Sequence, residues 1–207
     1  MDDDGETIHL GERGTYIKQF ALRDFKKVDI GGAYSVTIKH GDDFGVSADG
    51  EESDVDDLKV TVEEGVLKVK RSKEWDFFSN RKWARVGLII TMPTVEEISL
   101  SGANKTIVTG FSGLSKLGVN ISGASKAEVD VQVDEIILDL SGASKARLKG
   151  SAKNAKMDLS GACKLDARGM AIQSAEVDAS GASKAELGQI ANIRKHTSGA
   201  SKVDSQQ

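Results

Sequence analysis

An all-β solenoid is the fold class this sequence predicts, and three observations predict it. The first is an internal repeat: Ser-Gly-Ala-x-Lys recurs at Ser101, Ser122, Ser141, Ser160, Ser180 and Ser198, a near-constant period of about 19 residues, as repeat architectures show. The second is the alternation of apolar and polar residues on both sides of each motif, the period-two mark of half-buried strand. The third is composition. Aromatics make up 5% and hydrophobic residues 39% of 207 residues, below the roughly 45–50% apolar share of an ordinary globule, so the core is built from small and medium side chains enclosed by narrow coils. Equivalent residues on successive coils fall in register, and each coil adds about 4.8 Å. Six coils make a single-stranded parallel β-helix on the order of 30 Å long. Helical repeats are longer and do not alternate with period two. Leucine-rich repeats need several Leu per unit, and the calcium-binding nonapeptide pattern is absent.

Along the chain, residues 1–24 read as a lead-in. Met1-Asp2-Asp3-Asp4-Gly5 has neither a basic start nor an apolar run, so the protein is either cytosolic or exported with its signal trimmed. Val28–Ile38 is a degenerate copy of the repeat, with Gly32-Ala33 laid over Gly102-Ala103 and Val28 and Ile30 in the buried columns. The acidic run Asp49–Asp57 misses the EF-hand pattern and reads as a solvated turn. Leu58–Val62 and Val66–Lys70 flank Glu63-Glu64-Gly65 as a hairpin or coil corner. Trp75–Trp83 concentrates four of the ten aromatics, fitting a cap over an open solenoid end or a contact loop. Val86–Thr91 is a strand before Pro93. The regular coils follow, each a strand, a Gly-containing bend, a second strand and a looser return through Gly110, Gly150 or Gly169. One domain is therefore predicted over 25–205, with irregular N-terminal coils and the aromatic cap at 25–97 and six regular coils at 98–205.

Twenty-eight basic against 32 acidic residues give a net charge of -4, without the basic excess of a nucleic-acid binder. One Cys excludes a disulfide scaffold, and Cys163 reads as an isosteric stand-in for a repeat Ser. No apolar stretch is long enough for a membrane helix. His9, His40 and His196 lack metal-ligand spacing, no phosphate loop is present, and no Ser has a nucleophile's partners. Neither catalysis nor a cofactor is expected.

The strongest binding candidate is the Lys column: Lys105, Lys126, Lys145, Lys164, Lys184 and Lys202. Adjacent charges repel by about 0.9 kcal/mol before screening, and the array matches an anionic polymer. The competing reading is a solvated face offset by Glu128, Asp166, Glu186 and Asp204 two residues on, with Lys stems covering the sheet. The Asp139, Asp158, Asp178 column reads as solvated outer face in preference to a calcium ladder. Trp75 and Trp83 are further candidate contacts.

Phe25–Ile38, Leu67-Lys68-Val69-Lys70, Trp75, Ile90-Thr91-Met92-Pro93 and the Ser-Gly repeats together resemble a bacterial family, the putative auto-transporter adhesin, head GIN domain, common in Bacteroidetes. The resemblance runs from about residue 17 to 205. It implies an exported envelope or periplasmic protein, often lipid-anchored as a precursor, with no catalytic residues. Family members carry Ser-Gly-Ser-Gly-Asp where this chain has Ser-Gly-Ala-Ser-Lys, so no ion-binding role carries over. The expected function is a non-catalytic adhesin or binding module for anionic glycan or a cell-surface protein. The alternatives are a structural or oligomerisation module and a polysaccharide-acting β-helix enzyme.

Overall fold

In the computed structural model, which describes residues 8, 10, 14–72 and 85–206, strand accounts for 70% and helix for 2%. In chain order the elements are β1 (Tyr16–Phe20), β2 (Lys27–Gly32), β3 (Tyr34–His40), β4 (Gly45–Gly50), α1 (Glu52–Val55), β5 (Leu58–Glu63), β6 (Val66–Arg71), β7 (Val86–Met92) and β8 (Glu97–Gly102). The repeats then give β9 (Lys105–Ile121), β10 (Lys126–Leu140), β11 (Lys145–Leu159), β12 (Lys164–Ala179), β13 (Lys184–Leu187), β14 (Ile190–Thr197) and β15 (Lys202–Ser205).

From β8 to β15 every coil stacks parallel on the one before it. About five turns separate the first Ser-Gly-Ala corner from the last. The alternation places Val129, Leu138 and Leu140 inside with their counterparts Leu148, Met157 and Leu159, all at most 2% exposed.

The motif is a tight corner whose positions have different tasks. Its Gly carbonyl accepts the N–H of the Ala one coil on, as in Ala124 to Gly102 at 2.7 Å and Ala143 to Gly123 at 2.8 Å. This close stacking has no room for a side chain. A Cβ at Gly102, Gly123, Gly142, Gly161, Gly181 or Gly199 would meet the glycine carbonyl oxygen of the coil beneath at 2.2 to 2.8 Å. The fourth position points inward and closes the turn by donating three residues back. Ser144 Oγ reaches Ser141 O at 2.7 Å, Cys163 Sγ reaches Ser160 O at 3.0 Å and Ser201 Oγ reaches Ser198 O at 2.8 Å. Cys163 is buried and takes the place of a repeat Ser.

The return differs from its expected looseness. It is hydrogen-bonded strand in the interior coils: Gly110, Gly113 and Gly169 lie at bulges instead of loops, and Gly150 lies within a continuous ladder. Bulges also absorb the unequal repeat lengths. Lys126 stacks on Lys105, Val131 on Phe111 and Val133 on Leu114, with a register shift at each of the last two steps. The extra length of the longest coil thus lies between Val108 and Leu114, where Gly110 and Gly113 have φ of +85° and +69°. Likewise Arg147 stacks under Asp166 but Lys149 under Gly169, with a bulge between them. In the shortest coil the strand breaks at Gly188-Gln189, between β13 and β14. The corner keeps strict register, since a one-residue slip would turn every core side chain outward.

The degenerate copy stacks as its residues predict: β2 lies under β8, with Val28 on Ile98, Ile30 on Leu100 and Gly32 on Gly102, and β3 lies under β9. The described residues between 41 and 96 lie beneath this coil. There β6 and β7 run parallel to β2 and β3, and antiparallel β5, β4 and β1 follow outward. The β5–β6 pair is a hairpin whose turn residues, Glu64 and Gly65, both have positive φ. Tyr16–Phe20, in the predicted lead-in, is itself a strand paired with β4. Asn104 joins the irregular coil to the regular ones. Its Nδ2 donates to Ser101 O at 2.8 Å and Ile30 O at 3.3 Å, and its Oδ1 accepts the Tyr34 N–H at 3.1 Å. An amide is needed there because Tyr34 occupies the corner place in the coil below.

The acidic run departs from the solvated turn expected of it. It includes α1, and Asp54 and Asp57 are buried, each with a carboxylate oxygen 3.7 Å from Arg71 Nη1. The cation that permits this lies on another strand, so local sequence did not show it. Trp75 and Trp83, with the cap assigned to them, lie outside the described residues.

Candidate binding face

Register brings the lysines together as a column. Lys105, Lys126, Lys145, Lys164, Lys184 and Lys202 occupy successive rungs immediately after the corner. Lys145 and Lys202 are exposed and the other four half-buried, as when aliphatic stems lie along a sheet and the ammonium stays wet.

Two residues on, Glu128, Arg147, Asp166, Glu186 and Asp204 form a second column. At the C-terminal coils its acids face the lysines of their own rung: Lys184 Nζ lies 2.5 Å from Glu186 and Lys202 Nζ 2.9 Å from Asp204. Lys184, by its hydrogen bond, holds the Glu186 carboxyl below the usual range. Mid-rod the acids also reach further along the strand and across coils. Glu128 meets Lys149 at 2.6 Å and Arg147 at 3.9 Å, and Asp166 meets Arg168 at 2.9 Å and Arg147 at 3.6 Å. Arg168 holds the Asp166 carboxyl below its ordinary value. Arg147 stands where its neighbours in the column are acidic, so the lysines on the rungs of Lys126, Lys145 and Lys164 border two further cations, Arg147 and Lys149. These two did not enter the sequence-based candidate set, although Arg147 is visible there as the basic break in an acidic column.

On the other side of the corner, Asp139, Asp158 and Asp178 stack directly, with Asn120 below and His196 above. They share an open groove of about 400 Å³ with Ser141, Ser160 and Ser180. Among the described residues no three His, Cys, Asp or Glu side chains come together as a metal site. Burial pushes the Asp158 carboxyl above its ordinary 3.8, Asp139 and Asp178 add to the rise, and Lys156 opposes it. A raised folded-state value means that the ionised form costs stability above it, a cost that fades as pH falls toward the unfolded value. Asp158→Asn should therefore have a higher urea midpoint than wild type at pH 7, and the difference should close as pH falls toward about 4. Equal midpoints at pH 7 would contradict this assignment.

The described helix is too short and polar to cross a membrane. With the geometry in place, comparisons with known proteins give a consistent result. The family model described as putative auto-transporter adhesin, head GIN domain, matches residues 24–206. A putative adhesin from Bacteroides fragilis aligns in structure with a TM-score of 0.76 at 16% identity, covering 92% of this chain and 94% of that one. A putative adhesin from Parabacteroides merdae aligns at 0.64 and 14% identity, covering 94% and 98%. A putative lipid binding protein from Parabacteroides distasonis aligns at 0.65 and 13% identity, covering 93% and 96%. At such identities the likeness is one of fold. No curated protein matches the chain in sequence.

Proposed function

Since the chain belongs to the putative auto-transporter adhesin, head GIN domain family, we propose that it is an exported, non-catalytic binding module that holds an extended anionic glycan along its Lys column. The observation that carries the reading is the unbroken register of Lys105, Lys126, Lys145, Lys164, Lys184 and Lys202 along one edge. A linear polyanion can meet such an array rung by rung, each contact weak and the sum specific for extended charge. Mid-rod, Lys126, Lys145, Arg147, Lys149 and Lys164 outnumber the acids of the adjoining column, Glu128 and Asp166, whereas Lys184 and Lys202 are each matched by one acid, Glu186 and Asp204. Trp75 and Trp83 belong to the proposal as stacking contacts for sugar rings.

Two features favour this reading over its rivals. A polysaccharide-acting enzyme gathers its acids in one place, whereas these charges repeat as columns. A lipid carrier requires an apolar cavity, whereas the core columns are filled by Leu, Val, Ile, Met and Ala.

The test is binding of polygalacturonate, with neutral dextran as control, to wild type and to a Lys126→Glu, Lys145→Glu, Lys164→Glu variant. With each exposed ion pair contributing about 0.5–1 kcal/mol, the variant should lose between about tenfold and about a hundredfold in affinity. Wild-type binding should also weaken as salt rises. Unchanged affinity in a folded variant would remove the column from the binding surface.

A further inference from the structure

The last coil departs from the repeat at one inward position. The core column that holds Met157 and Val177 continues to Lys195, stacked on Val177. Instead of entering the core, its ammonium crosses the face of this coil and donates to Ser205 Oγ on β15 at 2.7 Å. The flanking acids of the coil beneath are also replaced: Arg194 stacks on Glu176 and His196 on Asp178.

The outer edge of this coil otherwise repeats the edges of the coils beneath it. Among the described residues β14 pairs only with β12, and β15 only with β13. The outer backbone edges of both strands continue the ladder that joins all earlier coils. Ile190, Ile193 and Val203 are only partly buried at its rim. An edge of this kind recruits strands unless something prevents it, and an inward-pointing charge is an effective preventive. Any layer stacked on β14 would enclose the Lys195 ammonium in the apolar column, where an uncompensated charge is strongly disfavoured.

We propose that Lys195 is the gate on a self-association edge: it keeps the rod monomeric, and without its charge a second copy of this chain stacks tail to tail on the C-terminal coil. A two-fold axis pairs β14 antiparallel with its own copy. That contact is self-complementary and closes at a dimer. The opposite end carries antiparallel β1 and β5, which do not continue the coil direction, so growth into a filament is not expected. This assignment is independent of the lateral Lys column.

The experiment is sedimentation velocity over a concentration series for wild type, Lys195→Val, Lys195→Met and Lys195→Arg. Val is the residue of the coil beneath, and Met keeps the chain length without the charge. Wild type and Lys195→Arg should sediment as monomers at every concentration. Lys195→Val and Lys195→Met should shift to dimer, with an association constant at least tenfold above the wild-type limit. Adding Ile193→Lys to Lys195→Val should restore the monomer and so locate the contact on this edge. Monomeric, folded Val and Met variants would overturn the proposal. So would a wild type that already dimerises to the same extent, or a double variant that remains dimeric.

Discussion

Gly150→Ala should destabilise the protein by at least about 3 kcal/mol, far more than its single added methyl group suggests. Gly150 lies in the return of the coil, with φ of +96°, a region that costs an L-residue about 1–2 kcal/mol. The larger part of the penalty comes from the neighbouring coil. A Cβ there would stand 2.0 Å from Val131 O and 2.9 Å from its carbonyl carbon. Those atoms belong to the backbone of a strand held in parallel register by two neighbours, so they cannot move alone. Gly113→Ala is the control, because its φ is +69° but nothing lies within 4 Å of the added carbon. It should cost about 1 kcal/mol. Urea denaturation of the two variants, followed by far-UV circular dichroism, separates backbone preference from coil stacking. Equal losses would show that stacking distance does not constrain Gly150.

The contrast between these glycines also marks what sequence could convey. The corner, the buried columns and the Lys column were legible because a repeated pattern in register converts sequence spacing directly into stacking. Even the degenerate copy at Val28–Ile38 could be aligned on Gly32. The return was harder to read. Gly110, Gly150 and Gly169 resemble loop residues, and only the stacked partners reveal that the first two have positive φ within a paired strand. Burial of Asp54 and Asp57 was hidden for a different reason: their cation, Arg71, comes from β6. At the candidate face the lysines were legible, and so was the pairing of Lys184 with Glu186 and of Lys202 with Asp204. The reach of Arg147, Lys149 and Arg168 to Glu128 and Asp166 crosses coils or bulges, so it required the structure. Lys195 was visible as a break in an apolar column, but its reach across the coil to Ser205 required the structure.

All these features rest on the molecule being a stack of interchangeable coils held in strict register. Excising Ser122–Leu140 removes one whole coil and joins Ile121 to Ser141. Because β11 stands one coil above β10 in the same register, it would then meet β9 with every column preserved, including Lys145 above Lys105. Asp139 leaves the acidic column at the same time. A slightly shorter excision, Ser122–Asp139, leaves Leu140 as an extra residue beside the corner. That is the part of the coil where no bulge occurs and a slip reverses inside and outside. The difference should amount to several kcal/mol, among the largest effects available in this fold. The measurement is urea unfolding of the two shortened chains by far-UV circular dichroism. A cooperative transition in the whole-coil excision, with its loss or a sharply lower midpoint in the shorter one, is the predicted result; matching transitions in both would contradict the coil-stack account.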